Sequence, residues 1–379
     1  MASKLRIVAL GYVVRGPLGG LCWHHAQYAL GLQDLGHEVL FVEHSGDSEY
    51  CCYHPLSGIT DRDPSDGLEF TRKLFSQLNL AWAYFDRHAD QWCGPDASRA
   101  ADFCRTADIV INLSLANDLE HELDQAPVRI AVDTDPVFNQ IRNLTVPDRL
   151  ARTVSHNRFF SYGVGMPNPT APRDSFDWKP TRQPVVMRLW PQTPPRHDGA
   201  FTTVMQWDSY ATREWNGISY GQKSASFPPY MGLPKKTSKE FAIVVGSPSA
   251  PRDELRANGW QLLNPNETVL TPDAYRGFIQ ASKAEFSVAK HGYVAARSGW
   301  FGDRSTSYLA SGRPVVIQDT GYSEELKQQG GIFTFESPEE AADQIERVCK
   351  DYVTHSERAR TTAIDYFEAT KVLREILDG

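Results

Sequence analysis

The strongest constraint on the fold of this chain is a succession of short β-branched runs and amphipathic segments, laid down twice along its length. Residues 5 to 10 form a β-branched run that enters the glycine-rich turn Gly16-Pro17-Leu18-Gly19-Gly20, then an amphipathic helix through Leu35, stopped by Gly36. The runs Val39 to Glu43, Ala107 to Asn112 and Val128 to Asp133 repeat the strand pattern. Strands alternating with helices predict a doubly wound α/β sheet with parallel strands. A second series starts at Phe201 to Trp207, continues with Phe241 to Gly246 and Glu285 to Ala289, and closes with Pro314 to Gln318. Between the series, prolines recur from Pro167 to Pro195 and the helical period is lost, apart from a strand-like run at Val185 to Leu189. The expected division is residues 1–190 and 200–357 as two domains facing a cleft. The charged, helical tail follows, with about 358–379 expected to pack back on the first domain.

Length agrees with this division, because 379 residues are too many for one ordinary core and suit two of roughly 150 to 200 residues each. A net charge of −8, without a Lys/Arg cluster interleaved with aromatics, argues against a nucleic-acid partner. The first apolar run is interrupted by Arg6 and lacks a long apolar region or cleavage site, so it reads as a strand and not a signal peptide. No stretch approaches the ~20 apolar residues that span a bilayer, which leaves only peripheral membrane contact open. Cys22, Cys51, Cys52, Cys93, Cys104 and Cys349 show neither Cys-x-x-Cys spacing nor neighbouring zinc-type histidines, so free thiols in a reducing cytoplasm are expected.

A parallel sheet offers ligand sites at the carboxyl ends of its strands, where helix N-termini point unpaired N–H groups outward. The richest such loop is Arg297-Ser-Gly-Trp-Phe-Gly-Asp-Arg-Ser-Thr-Ser-Tyr-Leu-Ala-Ser-Gly-Arg-Pro-Val-Val316. Gly299 and Gly302 let backbone approach a ligand, a helix is predicted to begin near Asp303, and Ser305, Thr306 and their amides suit a pyrophosphate. Taken singly, Asp303 reads as an N-cap and Arg304 as a solvated charge; the whole string favours a ligand site.

That string, with its Leu-Ala-Ser-Gly-Arg-Pro-Val-Val ending, resembles the donor-site helix of GT-B glycosyltransferases. Gly19-Gly20-Leu21-Cys22-Trp23-His24, followed by Leu35-Gly36-His37-Glu38-Val39, is similar to the glycine-rich loop, helix and Gly-His-x-Val turn that open such enzymes. The resemblance implies two Rossmann-like domains and a metal-independent transfer. The sugar passes from a nucleotide-sugar donor, of UDP or TDP type, to a small-molecule or glycan hydroxyl, without a cofactor. It places Gly19, Gly20, Arg297, Ser298, Gly299, Phe301, Gly302, Asp303, Arg304, Ser305 and Thr306 at the donor. The chain departs from the retaining group with a Glu-x7-Glu motif: Ser307 and Gly299 stand where its two glutamates would be, leaving Asp303 or Asp319 to take their place. The resemblance also implies cations on the departing diphosphate, for which Lys223, Lys290 and Arg297 are the candidates.

Four further positions carry chemistry. Asp319, Thr320 and Gly321 follow the last strand as a sugar and phosphate contact; Thr320 or Ser323 with the nearby glutamates equally reads as a helix cap. Asp133 and Asp135 end a first-domain strand, where two close carboxylates can bind acceptor hydroxyls or, with one pKa raised, take a proton; Asp135 before Pro136 also reads as a turn starter. His24 is expected to be catalytic. His25 is expected to touch the acceptor, with a core histidine as the plain alternative. A nucleotide-sugar epimerase on the same scaffold, or a binding module without catalysis, are the competing functions. A dinucleotide oxidoreductase is disfavoured because Gly16-Pro-Leu-Gly-Gly lacks the Gly-x-Gly-x-x-Gly spacing.

Overall fold

The computed structural model describes residues 4–163, 171–322 and 324–379. Its first half is an eight-stranded sheet in the order Lys179–Pro180, Arg158–Ser161, Val128–Asp133, Ile109–Leu113, Arg6–Leu10, Glu38–His44, Trp82–Asp86, Gln91–Cys93. All neighbours run parallel except the Gln91–Cys93 edge. The second half is a six-stranded parallel sheet in the order Trp260–Leu263, Phe241–Val245, Phe201–Met205, Ala284–Ser287, Val315–Gln318, Ile332–Phe335. In both, the central strands are buried on both faces, as helices covering both sides require. Among the described residues no helix is long and apolar enough to cross a membrane.

The expected strands at the two sheet centres form within a residue or two of their sequence limits. Those at Trp82–Asp86, Arg158–Ser161, Trp260–Leu263 and Ile332–Phe335 were not read from the sequence, being short runs mixed with polar residues. The strand expected at Val185 to Leu189 is a correction: Val185 makes one bridge, to Glu368, and Met187–Leu189 is a 3-10 turn. Its surroundings explain the change, because Val185 N–H and C=O are bonded to Phe367 and Ala369 and to no sheet. Part of the linker, residues 164–170, lies outside the described residues.

The halves are in intimate contact. The helix Gly19–Asp34 lies against the second-half helix Pro272–Ala281, and Trp23 Nε1 donates to Pro272 O at 2.9 Å. A Cβ on Gly19 would stand 2.5 Å from Thr271 O, and one on Gly20 2.9 Å from the Tyr275 ring, so only glycine allows this approach. The tail crosses back at Glu368, later than the expected 358. Tyr352–Thr362 and the π-helical turn Ala363–Phe367 still pack on the second half, through Ala359, Ala363 and Phe367. Glu368 then accepts from the amides of Thr370 and Lys371 and starts a new helix, Ala369–Asp378, whose Val372, Leu373 and Ile376 join the first core. A helical period cannot reveal such a break, because it continues through both helices.

Candidate active site

Between the carboxyl ends of the two sheets lies a cavity of about 470 Å³ lined by residues of both halves. One end is apolar, with Val204, Val244, Val269, Leu270 and Tyr275. The other gathers His24, Ser114, Thr134 and Asp135 from the first half with Lys290, Trp300 and Asp303 from the second. Lys223 and Arg304 also line it, and with Glu285 they surround its charged floor.

Lys223 opens the short helix Lys223–Ser226 and is 8% exposed, and its side-chain ammonium has no hydrogen bond or ion pair among the described residues. Burial, then the neighbouring Arg304 and Lys290, hold its ammonium well below the usual lysine value, against the pull of Glu285 and Asp303. Arg304 is spent differently. Its Nε donates to Glu285 Oε1 at 2.7 Å, and its two Nη atoms to Val204 O and to Ser287 Oγ at 2.6 Å. Glu285 is fully buried in the strand Ala284–Ser287, so Arg304 is a fixed positive charge beneath the cavity. Beside them the helix Asp303–Ala310 begins, with Gly302 as its N-cap residue and Asp303 as its first residue; the opening amides have no intrahelical partner. A buried lysine with no ion pair among the described residues, set beside a helix N-terminus, has the electrostatics that suit an anion.

Lys290 and Asp135 meet each other. Asp135 receives Lys290 Nζ at 2.9 Å, Arg142 Nη1 at 3.1 Å, Tyr293 OH at 2.5 Å and Tyr210 OH at 2.5 and 2.8 Å. Burial pushes this carboxyl upward, but Lys290 and Arg142, with the two phenols, hold it down at about 2. Asp135 is therefore a firmly ionised clasp between the halves, and Trp300, stacked on Tyr293 at 4.5 Å, adds a bond from its Nε1 to Thr134 O. A carboxylate held this low is a poor base, so the structure gives it a positioning role in place of the expected proton transfer.

His24 faces the cavity from the first turns of Gly19–Asp34. Its Nε2 is 3.4 Å from Ser114 Oγ and its Nδ1 3.7 Å from Asp303 Oδ2, while burial lowers its pKa against Asp303. His25 turns the other way. It is 1% exposed, both its ring nitrogens lack partners, and burial holds it neutral, so it is a core histidine out of reach of an acceptor. Asp133 is also interior: its oxygens take Asn139, Gln140, Ser161 and the Asp135 amide, leaving nothing for an acceptor.

Of the expected donor residues, Gly20, Lys223, Lys290, Asp303 and Arg304 line the cavity. Gly19 serves the contact with Thr271. Arg297 is half-exposed and turned to Asp319 and Glu336, away from the cleft. Ser298 is buried and bonded to the Trp300 amide, Gly299 N–H is bonded to Thr320 O, and Phe301 stacks on Phe367. Ser305 and Thr306 are buried, the Thr306 hydroxyl returning to Asp303 O. Asp319 is taken by Lys327 at 2.8 Å and by the Gly321 amide, and Thr320 Oγ1 bonds Trp300 O; none of Asp319, Thr320 and Gly321 lines the cavity. These side chains are engaged within the loop and do not line this cavity; of the two aspartates, Asp303 lines it and Asp319 does not. Ser323 lies outside the described residues. Ser114, Thr134, Tyr210, Tyr293, Trp300 and Glu285 were not foreseen; Ser114 follows the strand Ile109–Leu113, so the strand-end rule could have found it.

Two doubly wound domains joined by a linker, closing a cleft at their strand ends and stitched by a returning C-terminal helix, define the GT-B fold. Solved structures bear this out. A HepE protein of Anabaena, in complex with UDP and glucose, matches with a TM-score of 0.57 and 13% identity over 99% of both chains. An alpha-glucosyltransferase, in complex with UDP and a 13-mer DNA containing an HMU base, matches with 0.60 and 12% over 99% of both. A glycosyltransferase of Rickettsia africae matches with 0.54 and 14% over 99% of this chain and 97% of the other. No protein-family model and no curated protein sequence matches the chain.

Proposed function

We propose that the protein is a glycosyltransferase that moves a sugar from a nucleotide-sugar donor to a hydroxyl of a small molecule or glycan. The observation that carries this reading is Lys223, a buried ammonium without a counter-ion, set with the Asp303–Ala310 N-terminus in a cavity that both halves line. A diphosphate supplies the missing negative charge, and the adjoining apolar end suits a nucleoside. The sugar then lies toward Trp300, Asp135 and His24. As its bond to the diphosphate breaks, negative charge grows on the leaving oxygen, where Lys223, the fixed Arg304 and the helix amides stabilise it; they supply the positive charge without a metal. Neutral His24 takes the acceptor's proton. Contact between the halves restricts the access of bulk water to the anomeric carbon, so transfer to water is slow and transfer to the acceptor prevails.

The relatives bound to UDP favour a UDP or TDP donor. One relative is bound to DNA, but the net charge of −8 and the absence of a basic stripe favour a small or glycan acceptor here. The test is a thermal-shift screen against UDP, TDP, GDP and ADP and their sugars. One nucleotide class is expected to raise the melting temperature of the native protein and not of Lys223→Met. If none shifts it, the proposal fails.

A further inference from the structure

Ser114 sits directly after the strand Ile109–Leu113, at a φ of +59°, and Leu115 follows at +50°. Two successive non-glycine residues in the left-handed region are strained, and such strain persists only where surrounding structure enforces it. The consequence is that the Ser114 hydroxyl reaches the cavity between two polar groups, His24 Nε2 at 3.4 Å and Thr134 Oγ1 at 2.8 Å. On the far side of the imidazole, Asp303 Oδ2 is 3.7 Å from Nδ1. Thr134, Ser114, His24 and Asp303 thus form one line of polar groups along the cavity wall. Three come from the first half and Asp303 from the helix that starts at the diphosphate end.

We propose that Ser114 is the hydroxyl through which His24 takes the acceptor's proton, with Thr134 and Asp303 as the positioning residues at either end. The inference rests on the glycosyl-transfer reading above. Thr134 O–H donates to Ser114 Oγ, Ser114 O–H to His24 Nε2, and His24 Nδ1–H points to Asp303. The acceptor O–H bond breaks as its proton passes to Ser114 Oγ and the Ser114 proton passes to Nε2. The acceptor oxygen's electron pair forms the bond to the anomeric carbon. The carbon–oxygen bond to the diphosphate breaks, and its electron pair leaves with the diphosphate beside Lys223. His24 ends as an imidazolium facing Asp303, so the base is complete only while the two halves are together. The titratable groups facing the imidazole are His25 and Tyr28 on its own helix, Tyr162 beyond Arg158–Ser161, and Asp303; burial keeps the first three neutral.

Two measurements on the full chain test this. Nitrogen-15 spectra of labelled histidine, with His24→Gln for assignment, are expected to show His24 protonated on Nδ1 and bare on Nε2 at neutral pH. Asp303→Asn should move its titration to lower pH. A proton on Nε2 overturns the relay, whatever the protein catalyses. The second measurement is UDP release from UDP-glucose with water as acceptor, in Ser114→Gly, which keeps the backbone unstrained, and in Ser114→Ala. Both are expected to lose about a hundredfold in kcat, with UDP affinity unchanged and the acid limb of the pH profile altered. Native kcat in both variants overturns the proposal. Absence of binding to any of UDP, TDP, GDP and ADP by the native protein sinks the glycosyl-transfer reading instead, and the histidine spectra then still judge the hydrogen-bond line.

Discussion

The two halves share a topology and differ in what their strand-end loops do with charge. In the first half, the fully buried carboxylates Glu43 and Asp133 are saturated by their own neighbourhood. Glu43, fully buried, accepts the amides of Val13, Val14 and Arg15 at 2.6 to 2.9 Å and Arg15 Nε at 3.0 Å, and thereby shapes the loop after the first strand. Asp133 is saturated in the same way. In the second half, Glu285 secures Arg304, but no described residue forms an ion pair with Lys223. Saturated charges build the scaffold, whereas an unpaired buried ion raises the free energy and, in the proposed function, is offset by the ligand's negative charge.

The sharpest way to break this contrast is Glu285→Leu. It strands Arg304 without its counter-ion and is expected to destabilise the protein by about 3 kcal/mol, read by urea denaturation; an unchanged midpoint would mean that Arg304 is solvated. Next, Lys223→Met should weaken nucleotide binding by about thirtyfold, or about 2 kcal/mol, in titration calorimetry, while leaving the fold intact. Its sign on stability is opposite to that of Glu285→Leu. The folded-state pKa of Lys223 lies below the ordinary 10.5, so the buried ammonium destabilises the native protein at neutral pH. The variant should therefore melt higher, and the gap should close as pH rises toward 10.5.

Asp135→Asn is a smaller change. Its carboxylate is about one-fifth exposed, so loosening the clasp is expected to cost about 1 kcal/mol and to widen the cleft in small-angle X-ray scattering. The folded pKa of about 2 lies below the ordinary 3.8, so its contribution is present above pH 3.8 and lost as pH falls toward 2, where variant and native protein should converge. The smallest effect is a proton count. Nucleotide binding should draw up to one proton onto Lys223, seen as a buffer-dependent binding heat, and affinity should fall as pH climbs past the Lys223 pKa of the free protein. Binding heats that are equal in phosphate and Tris would remove Lys223 from the anion site.

Much of the fold was legible because its signals are local. The runs at 5–10, 39–43, 128–133 and 241–246 are apolar on both faces, and only a covered parallel sheet accommodates such strands. The site was legible only in outline. His24, Lys223, Lys290, Asp303 and Arg304 line the cleft, whereas Arg297, Asp319 and His25, which the same reasoning admitted, point elsewhere. Strand-end position selects a neighbourhood, and it does not say which way a side chain turns within it.

The sequence by itself determined the alternation of strands and helices in each half and the helix that begins at Asp303. Each depends on residues within a turn or two of one another. Only the tertiary structure decided which charges are spent and which are free. Lys290 finds Asp135 from 155 positions away, Arg304 finds Glu285 beneath a different strand, and Lys223 finds nothing. Electrostatic pairing acts through space, and the chain order that carries propensity and periodicity holds no record of it.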